Sequence, residues 1–98
     1  MRKYTAIPIG RILDCLPKTG TWHGPAYQGI GGLFAIRGWG AGDRPPMFQV
    51  MRVYGRRHGD PAHDRPPEEI SGPWLTMEGA EQFARRMAEG GSPRERFA

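Results

Sequence analysis

The sequence predicts a small α+β domain in which a three-stranded antiparallel β-meander carries a short N-terminal helix and a C-terminal amphipathic helix on one face. Three observations lead to this fold class. Apolar residues recur at helical spacing after Thr76, residues 47–54 are rich in aromatic and β-branched side chains, and turn-forming residues separate the other apolar runs. The chain has 98 residues, the size of one domain. We therefore expect a single unit over residues 1–90 and a flexible C-terminal tail over residues 91–98.

The C-terminal helix is the strongest element of the sequence. Thr76 is a suitable N-cap, because its hydroxyl can accept a hydrogen bond from a free N–H group of the first turn. Glu78 lies near the positive end of the helix dipole. Gly90 favours an end to the helix. The apolar stripe expected to pack on the sheet consists of Met77, Ala80, Phe83, Ala84 and Met87.

The N-terminal region allows two interpretations. Pro8 suits the first turn of a helix and Pro17 its end, and the apolar residues between them follow helical spacing. We therefore expect a short helix here, with a strand over residues 4–9 as the alternative. The apolar residues concerned are Ile9, Ile12, Leu13 and Leu16.

Three strands are expected in the middle of the chain. Residues 33–37 and 47–54 are close enough in sequence to pair as a hairpin. Residues 70–75 supply a third strand, and Gly72 and Pro73 indicate that it lies at an edge of the sheet or carries a bulge. Within the second strand, we expect Phe48, Val50, Arg52 and Tyr54 to share one face and Met47, Gln49, Met51 and Val53 the other.

Two segments are expected to be loops. Residues 18–32 are rich in glycine and should form an irregular loop with at most one edge strand. Residues 55–69 are polar, and a loop of this length is usually either functional or disordered.

Composition limits the compartment and the class of partner. The net charge of +4 and the isoelectric point of about 9.8 fit an anionic partner such as nucleic acid. The same arginine-rich composition also arises in a GC-rich genome without selection for binding. The single Cys15 excludes an internal disulfide, and no apolar run approaches the length of a membrane span. We expect a cytoplasmic protein with no membrane partner.

No residue pattern predicts an enzyme or a cofactor. Cys15 has no accompanying signature of a nucleophile and is expected to be partly buried beside the first helix. The glycine-rich stretches at residues 29–32 and 38–42 lack the lysine of a phosphate-binding loop. We expect no catalytic, cofactor or metal site, although His58, Asp60, His63 and Asp64 are potential metal ligands.

The predicted order of elements is similar to that of double-stranded RNA-binding domains, which contact phosphates and 2′-hydroxyl groups of A-form RNA. That family places a lysine cluster at the start of its last helix. Here those positions hold Met77, Glu78 and Gly79, so the anion contact is missing. The resemblance therefore covers element order alone.

Aromatic and arginine residues near the hairpin form the candidate contact site. Trp39 stands among glycines beside Arg37 and Arg44, and tryptophan and arginine dominate binding hot spots. Two roles are open for Trp39, a contact residue or a lid folded over the hairpin. The arginines could contact phosphates or could be ordinary surface residues. The candidate partner-binding residues are Trp39, Arg37, Arg44, Arg52, Arg56 and Arg57.

These observations favour a small non-catalytic binding protein that acts through protein–protein contacts. An inhibitor from a phage or another mobile element, directed against a nucleic-acid-guided defence complex (an anti-CRISPR-like protein), belongs to this class. The expected partner is then a protein or a ribonucleoprotein complex. The alternative is a small basic protein that binds DNA or RNA with the β-hairpin and the arginine-rich loop.

Overall fold

Five antiparallel strands and one α-helix make up the described part of the protein. The computed structural model describes residues 3–40, 45–54, 66–72 and 76–91, without the side chain of Cys15. The strands follow one another across the sheet in chain order. They are β1 (Tyr4–Ile7), β2 (Thr21–Gly29), β3 (Gly32–Trp39), β4 (Met47–Val53) and β5 (Glu68–Glu69), and helix α1 spans Met77–Ala88.

The predicted N-terminal α-helix is wrong. The chain instead forms β1, as in the alternative interpretation, and then two 3-10 turns at Ile9–Arg11 and Leu13–Cys15. All of β1 pairs with β2, which fixes an extended backbone directly before Pro8. Ile12, between the two turns, has φ −123° and ψ 6°, outside the helical range, so the helix cannot continue.

The segment expected to be an irregular loop is mostly β2. Its Gly24–Pro25 peptide bond is cis, and its register with β3 shifts between His23 and Tyr27. Proline has no N–H group to donate to the ladder of a sheet, and a strand tolerates a proline where its register shifts in this way. Glycine and proline therefore interrupt the pairing of β2 without ending the strand. With β1 and β2 included, the sheet has five strands instead of the predicted three.

The edge strand β5 is shorter and earlier than predicted. Only Glu68–Glu69 pair with β4, and residues 73–75 of the predicted strand lie outside the described residues. At the next pair, Val50 and Ile70, one of the two ladder hydrogen bonds remains and a side-chain hydrogen bond replaces the other. Ile70 N–H donates to the Val50 carbonyl at 3.1 Å, and the Ser71 hydroxyl accepts from Val50 N–H at 2.9 Å.

The predicted hairpin is confirmed. β3 and β4 pair antiparallel in a continuous register from Leu33 opposite Val53 to Trp39 opposite Met47. The alternation of faces along β4 also agrees with prediction. Phe48 and Val50 pack toward α1, whereas Val53 packs in a second core on the other side of the sheet.

The sheet has two covered faces. The helix face lies under α1 and holds Tyr27, Phe34, Ile36 and Val50. The turn face carries Ala26, Ala35 and Val53, on which Ile12 and Leu16 of the 3-10 segment pack. The expectation that both terminal elements pack on one face is therefore wrong, because neighbouring residues of β2 and β3 point to opposite sides and each side needs its own apolar cover.

Helix α1 agrees with its prediction. The Thr76 hydroxyl accepts a hydrogen bond from Gly79 N–H at 3.0 Å. The C-terminal end of the helix contacts the β2–β3 turn, where Gly31 N–H donates to the Ala88 carbonyl at 3.0 Å. Gly90, with φ +104°, allows the chain to leave the helix. The buried residues of α1 are Ala80, Phe83, Ala84, Met87 and Ala88.

Several predictions concern residues outside the described ranges. These are the burial of the Cys15 side chain, most of the polar loop (residues 55–65) with its potential metal ligands, and the tail residues 92–98. No helix in the described ranges has the length and apolar character needed to cross a bilayer.

Candidate binding site

Two tryptophans and one arginine form a cluster on the turn face near the β3–β4 connection. We call it the Trp22–Arg37–Trp39 cluster. Trp22 lies opposite Arg37 in the β2–β3 register, and Trp39 follows two residues later on the same face of β3. The Arg37 Cζ atom lies 5.3 Å from the ring centroid of Trp22 and 4.6 Å from that of Trp39. Both distances fall within the range of cation–π attraction.

Hydrogen bonds hold both indole rings in place. Trp22 Nε1 donates to the Pro17 carbonyl at 2.8 Å, and Trp39 Nε1 donates to Gln49 Oε1. Gln49 is itself buried on β4, so its hydrogen bond holds the ring of Trp39 against the sheet. Two satisfied N–H groups and a shared cation leave the rings little rotational freedom.

The Arg37 guanidinium is held by weaker contacts. Its Nη1 donates to the Thr19 hydroxyl at 3.2 Å, and its Nη2 lies 3.8 Å from Met51 Sδ. The buried Nε has no hydrogen-bond partner in the part of the chain that the structure describes. The guanidinium is therefore positioned mainly by the two aromatic rings, with donor capacity left over.

The cluster is continuous with exposed apolar surface. Trp39 is 37% exposed, and Met47, opposite it in the β3–β4 register, is 39% exposed. Trp39 also lines an open groove of about 280 Å³. Its lining residues are Thr21, His23, Gly38, Trp39, Gly40, Pro46 and Phe48.

The structure separates the predicted site residues. Arg37 and Trp39 lie together in the cluster. Arg52 lies on the helix face, because it pairs with Phe34 and its Cζ stands 5.3 Å from the Phe34 ring centroid. Arg44, Arg56 and Arg57 lie outside the described residues. Trp39 is the last residue of β3 and not a loop residue; it packs across the hairpin and still keeps part of its ring exposed.

The prediction of site residues missed Trp22 and the groups that hold the cluster, Thr19, Gln49 and Met51. Trp22 escaped because its segment was read as a loop. The glycine-rich stretch of residues 29–32 was the available signal, since it can be read as the tight turn of a β2–β3 hairpin. The predicted faces of β4 were the available signal for Gln49 and Met51, because both lie on the face that carries Arg37 in the paired strand.

A second polar group lies on the helix face. The Tyr27 hydroxyl donates to Glu81 Oε2 at 3.3 Å, and the Arg85 Cζ lies 5.7 Å from the Tyr27 ring centroid. Burial raises the pKa of the Tyr27 phenol above its usual value, and the Glu81 carboxylate raises it further, while Arg85 acts in the opposite direction.

This shift predicts a pH dependence of stability. The folded protein holds the Tyr27 proton more tightly than the unfolded chain, where the pKa is 10.0. The stabilisation is fully present below that pH and is lost as the pH rises through the higher folded pKa. Between about pH 9 and pH 11, we expect the free energy of unfolding to fall more for the wild type than for Tyr27→Phe. Urea denaturation across this range measures the difference; parallel pH profiles would contradict the prediction.

In the described ranges, no three histidine, cysteine, aspartate or glutamate side chains come together as a metal site. Comparison with protein-family models, curated protein sequences and solved structures finds no match to this chain. The site's own geometry therefore carries the functional argument.

Proposed function

We propose that the chain is a non-catalytic binding protein whose Trp22–Arg37–Trp39 cluster contacts a protein or ribonucleoprotein partner. The observation that carries this proposal is the combination of rigidity and exposure in one place. A hydrogen bond to Gln49 and the contact with Arg37 fix the ring of Trp39, yet Trp39 and the neighbouring Met47 each leave more than a third of their surface exposed.

A rigid aromatic surface suits binding for an energetic reason. Association costs free energy when mobile side chains become ordered, and a ring that is already fixed avoids that cost. Tryptophan and arginine also supply much of the binding energy at protein interfaces. Methionine adds an adaptable apolar contact beside them.

The described strands of the turn face carry little positive charge, which favours a protein partner over a bare nucleic acid. The whole chain has a net charge of +4, and the described ranges, with seven lysines and arginines and six acidic residues, contribute +1 of it. Nucleic-acid binding draws on several phosphate contacts from clustered basic side chains. On the turn face, Arg37 stands near exposed Trp39 and Met47, and β5 adds the exposed carboxylate of Glu69 opposite Met51. An inhibitor of a nucleic-acid-guided complex is one protein that could use such a face.

Affinity capture tests the proposal. Wild type, Trp39→Ala, Met47→Ala and the matched control Ile30→Ala are immobilised and exposed to lysate of the organism that encodes the chain, with and without nuclease treatment. Ile30 suits the control because it is an apolar side chain 89% exposed at the β2–β3 turn, away from the cluster. Proteins retained by the wild type are then purified and their dissociation constants measured.

We expect Trp39→Ala to weaken binding of the purified partner by about thirtyfold, the equivalent of about 2 kcal/mol. Ile30→Ala should leave the affinity unchanged. Met47→Ala, which removes no hydrogen bond of the cluster, should weaken it more modestly. Equal affinity in all four proteins would remove the cluster from the binding surface. Retention that disappears with nuclease, and that falls steeply with salt, would favour nucleic-acid binding instead.

A further inference from the structure

The positive charge of Arg37 is not matched by its described surroundings. Its contacts there are a hydroxyl, a thioether and two indole rings, none of which is negatively charged. A thioether is a weak acceptor, and the Nε group has no hydrogen-bond partner among the described residues. The guanidinium is thus partly desolvated and fixed in orientation. The buried Nε is out of reach of a partner, but Nη1 and Nη2 each use only one of their two N–H groups, so a donor on each remains.

A carboxylate is the group that best completes such an arginine. The planar guanidinium presents paired N–H donors that match the two oxygens of a carboxylate, and such charge-assisted bonds are stronger than neutral ones. The aromatic rings lower the local dielectric and so strengthen the attraction. The exposed Trp39 and Met47 would then receive an apolar side chain next to that carboxylate.

The described strands of the same face offer few phosphate contacts to a polyanion. A nucleic acid brings closely spaced phosphates. Within the described strands of this face, Arg37 is the one basic residue; Lys18 is exposed next to Thr19, and Glu69 is exposed on the neighbouring edge. A single carboxylate within an otherwise apolar segment is repelled by Glu69 less strongly than a run of phosphates. We therefore propose, resting on the proposed function, that the partner presents an aspartate or glutamate side chain to Arg37, flanked by an apolar side chain that packs on Trp39 and Met47.

Selection from random linear peptides displayed on phage tests this proposal without a known partner. Peptides are selected on the wild type, counter-selected on Trp39→Ala, and synthesised in two forms, with the acidic residue intact or replaced by its amide. Affinities are measured for wild type, Arg37→Gln and the matched control Arg85→Gln. Arg85 also lies over an aromatic ring, that of Tyr27, but on the helix face.

We expect the selected peptides to contain an acidic residue beside an apolar one. The amide form should bind the wild type and Arg85→Gln about tenfold more weakly than the acid form, and Arg37→Gln should bind both forms equally. This comparison isolates the coupling between Arg37 and the carboxylate, so a general loss of affinity in Arg37→Gln does not imitate it. Circular dichroism establishes that each variant is folded.

Failure of the carboxylate proposal can be distinguished from failure of the proposed function. If Trp39-dependent peptides bind equally well as acid and amide, the carboxylate proposal is overturned and the proposed function stands. If no peptide remains after counter-selection on Trp39→Ala, both are overturned. Binding of single-stranded oligothymidylate that depends on Arg37 would overturn the carboxylate in favour of phosphate.

Discussion

Gly31→Ala is expected to lower the free energy of unfolding by about 3 kcal/mol, because an added Cβ would collide with backbone and not with a movable side chain. A Cβ at this position would overlap the Met87 carbonyl oxygen and lie 3.0 Å from the Cα and N atoms of Gly90. Moving the turn away would break the hydrogen bond from Gly31 N–H to the Ala88 carbonyl. An alanine at this position therefore forces the β2–β3 turn away from the end of α1, and the hydrogen bond between them is lost.

Gly10→Ala is the matched control for this substitution. A Cβ there meets no atom within 4 Å. Because alanine also restricts the unfolded chain, this variant should be unchanged or stabilised by less than about 1 kcal/mol. Urea denaturation measures the change in the free energy of unfolding for both variants, provided that their m-values equal that of the wild type. A loss for Gly31→Ala no larger than that of the control would show that the contact between the turn and the helix is not close.

Phe34→Ala is expected to cost about 3–5 kcal/mol, because it removes the largest of the fully buried side chains from the centre of the helix face. Phe34 packs in one cluster with Ile36, Val50 and Phe83, so its loss leaves a cavity between sheet and helix. A small domain has a total stability of about 5–15 kcal/mol, so this single change should remove a large part of it.

Phe48→Ala is the comparison on the same face. Phe48 is only partly buried at the edge of the same cluster, so its truncation should cost clearly less than that of Phe34. If Phe34→Ala does not fold, Phe34→Leu, with an expected loss of about 1–2 kcal/mol, keeps the comparison measurable. Similar losses at the two positions would mean that the core is not centred on Phe34.

Part of the candidate site could be foreseen from local sequence. Arg37 and Trp39 are two residues apart, so any strand through them places both on one face. Arg52 could not be assigned relative to them without the β3–β4 register, which puts it opposite Phe34 on the other side of the sheet. Trp22 required knowledge of β2, whose glycines and proline gave it the appearance of a loop.

The sequence by itself determined the elements whose signals are local. Helix α1 has its cap, its apolar stripe and its terminating glycine within one stretch of chain, and β4 carries its alternation within seven residues. Only the tertiary structure decided the extent of the sheet, the separate cover of its two faces and the meeting of Trp22 with Arg37. Those features depend on pairing between distant strands, where the energy of ladder hydrogen bonds and of burial outweighs the weak strand propensity of glycine and proline.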